Sequence, residues 1–90
     1  MSPEAARDRF VGEMVAWLNR RFGPAGAVIT AHTPLFADGL INSIRILELI
    51  AWVEVAIGRR IPDVQIRMDN FRTVGRIAEV FLGEADHVAA

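Results

Sequence analysis

Few side chains in this chain are placed to do chemistry, and most of them can be set aside in turn. His32 and His87 fall in a loop and in the tail, and neither has a second histidine, cysteine or carboxylate at metal-ligand spacing. With no cysteine there is no thiolate nucleophile, no disulfide framework and no sulfur-ligated metal. Glu48 and Glu54 share a helical stretch but not a face that a cleft would enclose, so they make no acid/base pair. Arg20-Arg21 and Arg59-Arg60 are short basic pairs without interleaved aromatics, the pattern of solvated helix ends. No strand is signalled, and so no glycine-rich phosphate loop follows one.

What remains is Ser43. The stretch Leu35-Phe36-Ala37-Asp38-Gly39-Leu40-Ile41-Asn42-Ser43-Ile44 leads out of a long loop and sets a hydroxyl at the start of the most apolar helix. A phosphate carried there would meet free backbone N–H groups and the positive end of the helix dipole. The oxygen is expected to point outward, beside Asn42 and an exposed Ile44, within reach of another protein. Taken alone, an Asn-Ser helix start is more often a cap than a modification site.

The elements that must position this serine can be read from period and punctuation. Ser2-Pro3 opens a first helix that runs to about Phe22, with Phe10, Val11, Met14, Leu18 and Phe22 on one stripe. Gly23-Pro24 stops it. From Gly23 to Asn42 no helical period is sustained, and a loop this long is usually functional. Leu35 and Phe36 are its expected anchors in the core, and Asp38-Gly39 gives a turn before the next helix.

The second helix is predicted from Ser43 to Ile57, with Ile46, Leu49, Ile50, Val53 and Ile57 buried and Gly58 as its stop. Ile61 is expected to be buried in the link that follows. A short irregular helical turn falls between Asp63 and Phe71. Thr73 then caps a last helix to about Leu82, with Val74, Ile77, Ala78 and Phe81 inward. Residues 84–90 are expected to fray. The fold class is all-α: a small bundle of three main helices plus one short helix, four in all, with a long loop between the first two.

Size and composition set the outer limits. Ninety residues make a single domain, 1–90, with a core over about 3–83 and too little interior for a deep enclosed active site. The hydrophobic fraction of 52% argues for a packed globule and against disorder, while no apolar run approaches membrane-spanning length. A net charge of −1 supplies no field toward nucleic acid or an anionic membrane. The N-terminus lacks the basic-then-apolar layout of a secretory signal, so the expected location is cytoplasmic.

From Leu35 to Leu82, just over half its length, the chain resembles the acyl carrier protein family. That family attaches phosphopantetheine to the serine of an Asp-Ser-Leu type motif at the start of its second helix, and the matching residues here are Asn42-Ser43-Ile44. The family's alternation of apolar and charged positions continues through Glu48, Leu49, Val53, Glu54 and Ile57. Ile61-Pro62-Asp63 and Thr73-Val74 then match without a gap. None of these is specific singly; their order and spacing carry the resemblance. The segment Phe36-Ala37-Asp38-Gly39-Leu40-Ile41-Asn42-Ser43 is most similar to free-standing D-alanyl and other aminoacyl carriers. Two departures stand out. Asn42 replaces the family's usual aspartate, and Arg45 sits two residues past the serine in a nearly neutral chain, whereas fatty-acid carriers are strongly acidic along this helix.

The resemblance implies an acyl-carrier-like bundle and a protein that is not an enzyme. A phosphopantetheinyl transferase would place the arm on Ser43, with Asn42 beside it as part of the cofactor-binding site. An adenylating ligase or acyltransferase would then load the thiol as a thioester, and a downstream synthase or transferase would take the cargo. A dedicated biosynthetic pathway of polyketide or nonribosomal-peptide type fits the charge pattern better than general fatty-acid synthesis. Leu40, Ile44, Arg45, Glu48, Ala51 and Val55 form the expected docking face, with Arg45, Glu48 and Glu54 as its mixed charges. Trp52 is left open between core edge and partner contact. Cargo would lie in a groove lined by Phe36 and Ile61 or, if short or polar, stay in solvent. The chain is expected to act as a monomer without metal, nucleic acid or membrane. The alternative is a helical protein–protein interaction module in which Ser43 only caps a helix.

Overall fold

The computed structural model describes residues 2–23 and 28–89, with residues 38 and 83–89 described by backbone alone. Pro24 and Gly26 of the expected loop and Ala90 of the tail lie outside the described residues, as do the side chains of Asp38 and His87.

Helix α1 spans Pro3–Phe22. Its first turn is set by Ser2, whose Oγ accepts from the Ala5 N–H at 3.1 Å, with proline in the position where a missing N–H costs nothing. Phe10, Met14, Leu18 and Phe22 recur every four residues and are all buried, while Val11 sits at the edge of that stripe. The helix ends at Gly23, whose N–H bonds the Asn19 carbonyl in an extended conformation (φ −56°, ψ 124°) rather than a left-handed one. Glycine is required there by space: a Cβ would stand 2.4 Å from the Asn19 carbonyl oxygen.

Helix α2 spans Arg45–Ile57 and closes on Gly58 in the left-handed region (φ 73°), whose N–H bonds the Glu54 carbonyl. Leu49 and Val53 are fully buried; Ile46, Ile50 and Ile57 pack against the core from its margin. Helix α3 spans Val74–Ala89. Thr73 caps it, its Oγ1 accepting from the Arg76 N–H at 3.0 Å, and Val74, Ile77, Ala78 and Phe81 face inward as their spacing predicts. The helix continues past Leu82, where the apolar period ends. The extension runs over Glu84, Ala85 and Ala89, which favour helix without needing burial.

The expected fourth helix is absent: the described residues hold three α-helices. Between Ile61 and Phe71 the chain makes two single 3₁₀ turns, Asp63–Gln65 and Met68–Phe71. They are separated by a γ-turn at Ile66 (φ −83°, ψ 80°), closed by the Arg67 N–H on the Gln65 carbonyl, and by extended backbone at Arg67. The reason lies in the pattern. Val64, Ile66 and Met68 recur at steps of two and remain solvent-exposed, so after Ile61 only Phe71 reaches the core, and a helix here would have no buried stripe to stabilise it. Phe71 packs against Phe81 with ring centroids 5.4 Å apart.

The connections also supply Ile29, Leu35, Ile41 and Ile61 to the core, each 5% exposed or less. Trp52 belongs to the core edge. It stacks on Trp17 and meets Phe10 edge-on, with both centroid distances 5.6 Å. No helix of the described residues is long and apolar enough to cross a membrane.

Candidate attachment site at the start of the second helix

The approach to Ser43 is held at successive points along the first loop. Asn19 of α1 treats Ile29 as a strand partner would: its Oδ1 accepts from the Ile29 N–H and its Nδ2 donates to the Ile29 carbonyl, both at 2.8 Å. Nδ2 also bonds the Val15 carbonyl. Farther along, the Gly75 N–H donates to Ala31 and the Leu35 N–H to Arg72, which ties the loop to the start of α3. The Ile41 N–H returns to the Leu35 carbonyl at 2.8 Å, closing a compact turn around the 3₁₀ segment Ala37–Gly39. Leu35 and Ile41 are thereby buried as anchors, Phe36 is half-buried, and the next two residues after Ile41 emerge into solvent.

Those two residues divide the work. The regular helix begins at Arg45, two residues later than the sequence pattern suggests, but the chain is already winding. The Ile46 N–H bonds the Asn42 carbonyl at 3.0 Å, and the Leu47 N–H bonds that of Ile44. Asn42 is the cap: its Oδ1 accepts from the Ile44 N–H at 3.0 Å and from the Arg45 N–H at 2.8 Å. Asparagine carries the same acceptor oxygen as aspartate, so the cap needs no charge. One expectation changes. The Ile44 and Arg45 N–H groups are already satisfied by Asn42, so a phosphate on Ser43 would not find them free and would feel chiefly the dipole of α2.

Ser43 is left over. The chain has five hydroxyl side chains: Ser2, Thr30, Thr33, Ser43 and Thr73. Ser2 and Thr73 cap helices. Thr30 and Thr33 bond each other and the backbone of their own turn. The Ser43 hydroxyl alone has no hydrogen-bonding partner among the described residues, and it is exposed at the solvent end of α2.

Around it, the charged residues expected to meet partners are engaged within the chain. Arg45 turns back, its Nη1 donating to the Leu40 carbonyl at 2.7 Å and its guanidinium lying 4.9 Å from the Phe22 ring centre. Glu48 forms a bidentate pair with Arg21 of α1, both N–O distances 3.0 Å. Glu54 accepts from the Ile61 N–H at 2.8 Å and fixes the link after α2. The most exposed side chains of α2 are therefore apolar. Ile44 is 72% exposed, Leu47 66% and Val55 84%, with Ala51 between them and a half-buried Leu40 at the end of the preceding loop. Leu47 is an addition to the face expected from the sequence. Its signal is the spacing, one helical turn from Ile44 and from Ala51 on the face opposite Leu49 and Val53.

No family model and no curated protein matches the chain.

Among the described residues, two of the clefts lie elsewhere. One of about 630 Å³ is lined by His32, Asp69, Arg72, Thr73, Arg76 and Glu79 at the start of α3. Its basic groups pair with its own acids, Arg72 with Asp69 and Arg76 with Glu79. The other, about 310 Å³, lies at the opposite end of α2 against Phe10, Ala56 and Leu82. Neither is lined by Ser43, Phe36 or Ile61. No group of three or more histidine or carboxylate side chains among the described residues is placed to hold a metal.

Proposed function

We propose that this chain is an acyl or aminoacyl carrier of the acyl-carrier type, bearing phosphopantetheine on Ser43. The observation that carries the reading is the division of labour at Asn42-Ser43. The cap is made by Asn42, which leaves the one hydroxyl with no partner among the described residues exposed at the start of α2. A serine needed only as a cap would not be free.

In the attachment step the Ser43 oxygen attacks the phosphorus of coenzyme A nearest the pantetheine. A P–O bond forms to serine, the bond to the adenosine bisphosphate half breaks, and the hydroxyl proton passes to a base on a phosphopantetheinyl transferase. The carrier supplies only the nucleophilic atom and the surface on which the transferase seats. An adenylating ligase or acyltransferase would then acylate the thiol of the arm, and a synthase or transferase would consume the thioester. Such a protein performs no catalysis of its own and would work as a cytoplasmic monomer in a dedicated pathway. The exposed row of Ile44, Leu47, Ala51 and Val55 is the docking face for these partners, with Leu40 at its edge.

The test is intact mass after incubation with coenzyme A and a broad-specificity transferase. One phosphopantetheine added to the wild type and none to Ser43→Ala supports the carrier. A folded chain that several transferases leave unmodified would instead be an interaction module using the same apolar row.

A further inference from the structure

Resting on the carrier reading, we infer that the cargo is a short or polar acyl or aminoacyl group held in solvent outside the bundle, not a long chain drawn into it. Among the described residues, the core is filled where a chain attached at Ser43 would have to enter. Beneath the start of α2 lie Leu35, Ile41 and Leu49, exposed by 0%, 2% and 0%. Phe22 fills the side toward α1 and is covered by the guanidinium groups of Arg21 and Arg45, at 5.2 and 4.9 Å from its ring centre.

The seams on either side of α2 are latched by hydrogen bonds. Toward the first loop, Arg45 donates to Leu40 and the Ile41 N–H to Leu35. Toward α1, Arg21 grips Glu48 through two bonds. Toward the following link, Glu54 holds the Ile61 N–H. Drawing an alkyl chain inward would break at least one of these and displace a fully packed side chain. Among the described residues, a cleft with an apolar wall, against Phe10 and Ala56, lies toward the far end of α2, 13 residues from Ser43 and about 20 Å at the rise of a helix. The apolar surplus of α2 faces outward, at Ile44, Leu47 and Val55, where it serves a partner surface and encloses nothing.

The experiment loads the full chain from acetyl- and decanoyl-coenzyme A with a transferase, checks each by intact mass, and compares the two forms in labelled protein. The amide resonances of Leu35, Ile41, Leu49 and Ile61 are expected to coincide. Hydroxylamine is expected to cleave both thioesters at rates within about twofold, since neither is screened from the nucleophile. Displacement of those resonances by the longer chain, or protection of its thioester beyond that factor, overturns the inference. Failure of both forms to gain mass overturns the carrier reading and this inference with it, so the two failures are distinguishable.

Discussion

At the scale of single residues, Asn42 and Ser43 are neighbours with opposite duties. Asn42 satisfies two N–H groups at the start of α2, so Asn42→Ala should cost about 1 kcal/mol of stability in a denaturant titration. Asn42→Asp keeps the acceptor and adds a negative charge at the positive helix end, and should be at least as stable as the wild type. Ser43→Ala removes a hydroxyl without a partner among the described residues and should leave the unfolding midpoint in place, which separates loss of modification from loss of fold. The position of this pair was legible in the sequence; the division of roles was not, because asparagine and serine cap about equally well and only the backbone path selects between them. Nor could the sequence reveal that Arg45 turns back onto Leu40 and Phe22, or that Glu48 meets an arginine 27 residues earlier, since both depend on how α1 and α2 pack.

At the scale of elements, the helical stripes were readable because burial repeats with the helix period. Phe10, Met14, Leu18 and Phe22, and later Val74, Ile77, Ala78 and Phe81, fall inward as predicted. The connections have no period, and so Ile29, Ile41 and Phe71 join the core without advance signal. The segment 63–71, where one short irregular helix is expected, gives two 3₁₀ turns, because its exposed apolar residues recur at steps of two and leave no helical stripe to bury. The role of Asn19 is equally silent in the sequence. It lies off the apolar stripe of α1, yet it holds the loop through Ile29. Asn19→Ala would leave the N–H and carbonyl of Ile29 without their partner, and should lower stability by about 1–3 kcal/mol in the same titration. Its effect should be greatest on hydrogen exchange of the first loop, at Ile29 and Thr30.

At the scale of the whole molecule, the fold is a three-helix framework in which Arg45, Glu48 and Glu54 of α2 are engaged within the chain, leaving an exposed apolar row along α2. Leu47→Glu and Val55→Glu change side chains that are 66% and 84% exposed, and each should alter stability by no more than about 0.5 kcal/mol. Each should nonetheless lower kcat/KM for arm attachment or for loading, read as slower mass gain at limiting enzyme. On the carrier proposal, the arm is carried by the Ser43 hydroxyl oxygen. Fragment-ion mass spectrometry of the transferase-treated chain locates that atom directly. The result predicted is one phosphopantetheine per chain, on Ser43, with Ser2, Thr30, Thr33 and Thr73 unmodified. A folded chain that carries no arm, or carries it on any other hydroxyl, would contradict the account.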